Sequence, residues 1–413
     1  MDPAILHSDL NNFYASVECL HRPELLGLPV AVGGDPALRH GIVLAKNTLA
    51  KAAGVRTGEA LWQARQKCPG LVALPPNYPL YLRVARKARR IYADYTDRVE
   101  PFGLDEAWLD ISGPDVTPER SCGIANRIRE RISSELGVTA SVGVSYNKIF
   151  AKLGSDMRKP NATTEVRRDN YQESVWRLPV ENLLYVGPST TRKLRRIGIL
   201  TIGELARLDS SFLRTMLGKW GEVLHAFANG NDTSPVAVQG EEGLVKSIGN
   251  STTTPRDLED EEDVRTVAYV LAESVAARLR EQGLLCGTVQ IYVRDNQLAA
   301  FERQSHLRRP TRLASELAGA AMDLFRAHYG WDRPIRSLGI RGCDLCAAEL
   351  GIQLSFLEDE ARRLRLEQLE YAVDSIRKRF GHNSVQRAML LCDRPLGGIN
   401  PKDDHVIYPV SYF

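Results

Sequence analysis

Apolar runs and amphipathic segments alternate along the first 165 residues. Ala4–Leu10 reads as a buried strand, and Asn11–Glu18 turns into a helix. Gly41–Asn47 gives a second short strand, followed by a helix from Thr48 that Gly54 closes. Leu61–Pro69 reads as another short helix and Tyr78–Tyr95 as a longer one carrying Arg83, Arg86, Lys87, Arg89 and Arg90. Thr117-Pro118-Glu119 has the N-cap and proline that open a helix, here running to Leu136. Thr139–Val144 is a buried strand and Asn147–Asp156 a helix. This alternation predicts an α/β domain. Residues 183–199 read as helix, tight turn, helix, and Thr201-Ile202-Gly203-Glu204 has capping-box spacing. Further on, an acidic run from Asp257 to Asp263 opens a helix, and Thr288–Val293 and Leu298–Arg303 alternate like strands. Leu366, Leu369, Val373, Ile376 and Phe380 form an apolar stripe that would pack on the body or on a partner helix. The tail from Arg394 should be extended or flexible.

One stretch carries candidate chemistry. Asp105 and Glu106 lie between apolar residues that read as strands. Neighbours in a regular strand point to opposite faces. The pair serves one site only at a hairpin or bulge, which Gly103 would permit. Adjacent carboxylates at a strand end either hold a hard cation such as Mg2+ or form a solvated turn. Asp9, at the end of the first strand, is either a third ligand or an N-cap. Lys46 and Lys51 either reach phosphates or line a solvated face.

Composition narrows the setting. The 413 residues suggest two to four domains, and a net charge of +3 confines any basic surface to local patches. Seven scattered cysteines fit reduced thiols better than a disulfide framework. No stretch has the length of a membrane span, and the N-terminus lacks a signal peptide's pattern, so a cytoplasmic protein is expected.

Asp9-Leu10-Asn11-Asn12-Phe13-Tyr14-Ala15-Ser16-Val17-Glu18 followed by Gly103-Leu104-Asp105-Glu106 resembles the signature pair of Y-family (translesion) DNA polymerases of the DinB/UmuC type. Val142–Lys148 and Ala151–Asn161 continue the resemblance, which covers residues 4 to 345. It implies an α/β (α+β) right-hand polymerase: palm at 1–20 and 76–165, fingers at 21–75, thumb with helix-hairpin-helix at 166–240, and little finger at 241–347. It also implies low fidelity, low processivity, no proofreading and use in damage tolerance. The metal ligands would be Asp9, Asp105, Glu106 and the Leu10 carbonyl, holding two Mg2+ ions. Tyr14 would be the steric gate against a ribose 2′-hydroxyl, Phe13 would pack beneath the sugar, and Asn12, Thr48, Lys51 and Lys159 would meet the nucleotide. Many members carry a tyrosine and an arginine where this chain has Thr48 and Lys51. Lysine lacks the guanidinium fork and threonine is short, so weaker nucleotide binding is expected. Gly103-Leu104 replaces a common serine-isoleucine and leaves the carboxylates intact.

Primer–template DNA and dNTP are the implied partners of a monomer. Gly187 and Lys193 in the hairpin, and Lys246 and Ser247 at the entry to the little finger after a linker over 241–249, would contact DNA. The bland alternative for the hairpin is a solvated basic face. Between Arg278 and Arg341 basic residues outnumber acidic ones by five, which suits a sheet face on a phosphate backbone or merely a charged outer face. Gln353-Leu354-Ser355-Phe356-Leu357 resembles the peptide that docks bacterial polymerases on the sliding clamp, with Phe-Leu in place of the usual Leu-Phe. Two other readings are a non-catalytic DNA- and clamp-binding protein and a palm-domain nucleotidyl cyclase. The first predicts a missing carboxylate, and the second lacks a helix-hairpin-helix.

Overall fold

The computed structural model describes residues 2–35, 41–114, 116–240, 244–348 and 359–401. The chain forms two compact units, one of residues 2–34 and 42–240, the other of 244–401. In chain order the strands are β1 (Ile5–Leu10), β2 (Val30–Gly33), β3 (Val43–Lys46), β4 (Val72–Leu74), β5 (Val99–Phe102), β6 (Glu106–Asp110), β7 (Ala140–Ser145), β8 (Thr163–Val166), β9 (Ser247–Leu258), β10 (Leu284–Asp295), β11 (Ala300–Thr311) and β12 (Ile335–Ala347). Among the described residues no helix is long and apolar enough to cross a membrane.

The first unit is built on a five-stranded sheet in the order β5-β6-β1-β7-β8. β1 is central and buried along its whole length, with β6 and β7 antiparallel on either side. One face of the sheet packs on helices Tyr78–Ala93 and Pro118–Leu136, through Leu6, Leu10, Val84, Ile91, Leu109, Ile128 and Ile132. Thr117 caps the second helix by accepting the Arg120 N–H, and Gly137 ends it at φ 70°. The other face is covered by helix Lys148–Met157, capped by Asn147. That helix lies close because β7 carries Gly143. A Cβ there would stand 1.8 Å from the Ala151 carbonyl oxygen and 2.5 Å from the Ser155 nitrogen.

A small sheet, β3-β2-β4, with helices Thr48–Ala52 and Leu61–Lys67 forms a satellite with its own core of Ala31, Val43, Val55, Leu61 and Leu71. Residues 171–228 are helical around Val180, Leu183, Leu194, Ile202, Leu205 and Leu213. Of the helix, turn and helix expected over 183–199, only Pro188–Arg196, with Gly187 as N-cap, is helical; residues 183–187 hold no helix and follow a 3-10 turn, Val180–Asn182. The capping box forms as expected: Thr201 accepts the Glu204 N–H and Glu204 accepts the Thr201 N–H.

The second unit is a sheet in the order β11-β10-β12-β9, covered on one face by helices Glu261–Glu281 and Ala314–His328. Both β10 and β11 run to 12 residues, longer than the alternation suggested. β9 begins at Ser247, so the linker read over 241–249 ends earlier. Two C-terminal expectations need correction. Helix Glu360–Phe380 does not pack on the body by its apolar stripe: Leu366 and Val373 are half-buried, but Leu369, Ile376 and Phe380 are exposed, which leaves only the partner-helix alternative for them. Ion pairs hold it instead. Arg280 bonds Glu370 and Asp374, Arg309 bonds Glu360, Arg312 bonds Glu367, and Arg363 bonds Glu316 at 2.9 Å. Arg377 and Arg387 both bond Glu273. The periodicity marks a helix, but not the face that docks. Nor is the tail extended from Arg394: residues Arg394–Gly397 form a helical turn that buries Leu396 in the core of this unit.

Replacing Gly143 by alanine overpacks the strand–helix contact, and the cost expected is about 1–3 kcal/mol. Urea denaturation followed by tryptophan fluorescence checks it, with Gly123→Ala, which meets nothing within 4 Å, as the control.

Candidate active site and nucleic-acid surfaces

The three predicted carboxylates meet at one end of the central sheet. Antiparallel pairing sets Asp9 of β1 directly opposite Glu106 of β6. Residues opposite each other share a face, so both carboxylates emerge on the side covered by helix Lys148–Met157. Asp105 sits in the turn before β6, which Gly103 makes by adopting φ 80°. The turn is tied down from two sides. The Leu10 N–H donates to the Asp105 carbonyl at 3.0 Å, and Arg89 Nη2 donates to the Gly103 carbonyl at 3.0 Å. Adjacent acids in sequence thus reach one site, because only the second belongs to a strand.

Crowding governs the electrostatics. Burial and then the Glu106 charge raise Asp9 to about 6, against the pull of Lys159. Burial, Glu106 and Asp9 raise Asp105 to about 7. Two lysines answer the charge. Lys159 Nζ lies 2.6 Å from Asp9 Oδ2 and 2.7 Å from Asp156 Oδ1. Lys152 Nζ lies 2.5 Å from Glu106 Oε2 and 3.7 Å from Asp156 Oδ2. Behind them His7 is fully buried, with Nδ1 2.9 Å from Ser155 Oγ and Nε2 3.3 Å from Glu106 Oε2. Ser155 gives its hydroxyl proton to the Lys152 carbonyl, so it accepts from His7 Nδ1–H. Burial and Lys152 hold His7 well below its ordinary value, so the ring is neutral and Nε2 faces the carboxylate without a hydrogen bond.

Among the described residues no group of three or more His, Cys, Asp or Glu side chains is gathered closely enough to hold an ion alone. The donor set nevertheless fits a magnesium-like ion. Such ions keep several waters and are held by one or two carboxylates together with substrate phosphates, not by closed protein cages. Raised carboxylates sharing one end of a sheet are an anionic site that a divalent cation relieves.

The residues expected around a nucleotide are placed as follows. Phe13 is buried in the core, and half-buried Tyr14 stacks on Tyr81 at 4.4 Å with Tyr78 edge-on. Tyr81 is fixed from behind by its hydroxyl bond to buried Glu18 at 2.7 Å. Asn12, in the left-handed conformation at φ 49°, donates to Thr48 at 3.4 Å. Lys51 is exposed on the same short helix as Thr48. Lys159 sits on Asp9, and its loop is anchored by buried Asn11, which accepts from the Asn161 N–H at 2.8 Å.

For DNA, Gly187 presents the exposed start of a helix that bears Arg192, Lys193, Arg195 and Arg196. In the other unit, the face of the sheet away from the helices carries Gln290, Tyr292 and Arg294 on β10 and Gly339 and Arg341 on β12, with Ser247 at the start of β9 and Lys246 just before it. The basic excess is smaller than its count, since Arg280, Arg309 and Arg312 pair with acids of helix Glu360–Phe380. Residues Gln353–Leu357 lie outside the described residues. Sequence reasoning missed His7, Ser155 and Asp156. Period-two spacing puts His7 on the face of Asp9, and i,i+4 spacing puts Asp156 beside Lys152, so a signal existed.

Comparison with known proteins places this geometry. Residues 8–156 match the impB/mucB/samB family model, and residues 245–366 match the model of that family's C-terminal domain. The chain is similar to DNA polymerase IV of Acetivibrio thermocellus, 53% identical over 97% of this chain and 100% of that protein. DNA polymerase IV of Clostridium acetobutylicum is 34% identical over 95% and 99%, and DNA polymerase IV 1 of Bacillus subtilis 36% over 94% and 93%. In fold it is similar to a solved Y-family DNA polymerase chimera, with a TM-score of 0.73 over 83% of this chain and 99% of that one at 22% identity. The chain belongs to the impB/mucB/samB family, the DinB-like Y-family polymerases.

Carboxylates whose folded values lie above the ordinary value stabilise the fold when protonated, and that contribution is lost as pH rises from about 4 toward 7. Asp105→Asn should therefore stabilise the cation-free protein at pH 8 by about 1–3 kcal/mol and change it little at pH 4. Thermal denaturation in EDTA at the two pH values checks this.

Proposed function

We propose that this chain is a template-directed DNA polymerase of the translesion type, joining deoxynucleotides to a primer 3′ end. The observation that carries it is the meeting of Asp9, Asp105 and Glu106 at the end of β1 and β6, in a chain similar along its length to DNA polymerase IV proteins.

The residues act mainly by position. Asp9, Asp105, Glu106 and the Leu10 carbonyl would hold two Mg2+ ions. Bound there, such ions lower the pKa of the primer hydroxyl and neutralise the leaving pyrophosphate. Tyr14, held flat against Tyr81, presents a fixed wall where a 2′-hydroxyl would fall. Phe13 packs beneath the sugar. Asn12, Thr48, Lys51 and Lys159 bind the triphosphate, Lys159 by leaving Asp9. Lys51 offers a point charge instead of a fork, which supports weaker nucleotide binding.

The palm comprises residues 1–20 and 76–165, the fingers 21–75, the thumb 166–240 and the little finger 241–347. In the thumb, Gly187 and Lys193 receive one phosphate at a helix start. In the little finger, Lys246, Ser247 and the polar sheet face meet the duplex backbone. Docking of Gln353–Leu357 on a sliding clamp rests on the sequence alone. The clamp would supply the residence time that low processivity denies, and the polymerase would work as a monomer in the cytoplasm.

Primer extension on an undamaged template with Mg2+ and dNTPs tests the reading. Wild type should add template-matched nucleotides, and Asp105→Asn should lose extension by roughly a hundredfold or more. Extension that survives in the variant would remove Asp105 from the metal site, and none by folded, DNA-binding wild type would favour the non-catalytic reading. Tyr14→Ala should raise ribonucleotide use relative to deoxynucleotide by roughly 10–200-fold, read as the ratio of kcat/KM values.

A further inference from the structure

Two lysines stand where cations belong, and both touch a third carboxylate. Lys152 and Asp156 are one turn apart on helix Lys148–Met157, and Lys159 follows in the loop beyond it. Each ammonium group is shared. Lys152 lies between Glu106 at 2.5 Å and Asp156 at 3.7 Å, and Lys159 between Asp9 at 2.6 Å and Asp156 at 2.7 Å. On the inner side the lysines neutralise the crowded carboxylates of the candidate active site. On the outer side Asp156, about half exposed at its side chain, faces solvent and no other cation among the described ion pairs.

Asp156 responds to both neighbours. Burial alone would raise it, but Lys152 and Lys159 outweigh burial and hold it below its ordinary value. The backbone around this trio is stiff. Gly143 and Gly154 bring helix and strand into contact, the Ser155 hydroxyl is tied to the Lys152 carbonyl, and Asn11 anchors Asn161. Lysine side chains have four rotatable bonds and can swing while their backbone stays fixed. A divalent cation arriving at Asp9 and Glu106 has to displace both ammonium groups, and removing a buried or half-buried cation from its partner is expensive unless another anion takes it.

We propose that Asp156 is a positioning residue for metal loading, the second seat to which Lys152 and Lys159 withdraw when a divalent cation takes Glu106 and Asp9. The carboxylates stay neutralised before loading, and the lysines stay beside the site afterwards, Lys159 within reach of a nucleotide's phosphates. The inference rests on the reading of Asp9, Asp105 and Glu106 as a divalent-cation site. Asp156 touches neither substrate nor cation, and it acts through the two lysines.

Calcium, used as a non-reactive probe, tests this by isothermal titration and by the calcium-dependent rise of Tm, in the full chain with a dideoxy-terminated primer–template and the matching dNTP. In wild type calcium should bind and raise Tm. Asp156→Asn should weaken calcium binding by about three- to tenfold, and Asp156→Glu, which keeps the seat, should restore it to within about twofold. In a Lys152→Met, Lys159→Met background, adding Asp156→Asn should change calcium affinity by less than about twofold, because the groups it serves are gone. A loss of affinity that persists undiminished in that background would show direct attraction between Asp156 and the cation, and would overturn the proposal. So would unchanged affinity in Asp156→Asn alone. If wild type binds no calcium, the cation reading of the carboxylates falls, and the proposal with it. If wild type binds and the Asp156 series is flat, only Asp156's role falls.

Discussion

Like charge gathered at one end of a buried strand is the constraint that the first unit answers. Asp9 and Glu106 stand opposite each other across β1 and β6, with Asp105 beside them, in surroundings that raise both aspartates. Such a cluster is unfavourable in a folded protein unless cations compensate it. Its neighbours can be understood as compensation. Helix Lys148–Met157 is drawn tight by Gly143 and Gly154, and delivers Lys152 to Glu106. Asn11 ties the following loop to the sheet and thereby brings Lys159 to Asp9. The end of β1 thus holds a crowded carboxylate cluster that these two lysines compensate, and the residual crowding costs stability.

Rigidity and mobility are separated by element. The aromatic wall of Tyr14, Tyr78 and Tyr81 is locked by stacking and by the Glu18 bond, so it can discriminate by shape. The lysines are long, flexible and only partly buried, so they can exchange partners. On the proposed reading, a steric gate made of a mobile side chain would yield, and a counter-ion made of a fixed one would block metal loading. The residue types at these positions fit the two demands.

Much of this was legible in the sequence, for identifiable reasons. Local rules carried the elements: the Thr117-Pro118 start, the Thr201–Glu204 capping box, and Gly103 in the left-handed region before the acid pair. They work because each is settled within a few residues. What the sequence did not show is pairing over distance. Nothing local says that Asn11 bonds Asn161, 150 residues away, or that His7 faces Glu106. The shortened linker before β9 and the absence of a helix over 183–187 arise where tertiary contacts decide the extent of an element.

The C-terminal helix shows why periodicity misleads when charge competes with it. Its stripe of Leu366, Leu369, Val373, Ile376 and Phe380 predicts an apolar seam, yet its most buried residue is Glu370 and the docking contacts are guanidinium–carboxylate pairs. Burying those pairs has a desolvation cost, which is met because each guanidinium finds good geometry: Arg280 reaches Glu370, Asp374 and the Arg312 carbonyl together. The partners lie on Glu261–Glu281, Ala314–His328 and the end of β11, so the arrangement cannot be read from the helix itself. It also alters the charge of the second unit. Arginines that look in sequence like a surface for phosphate are committed inside the fold, and the sheet face proposed to meet DNA is polar, with Arg294 and Arg341 on it, not a continuous basic sheet. Binding through such a face should depend less steeply on salt than a count of its arginines suggests, because only cations that meet phosphate release counterions.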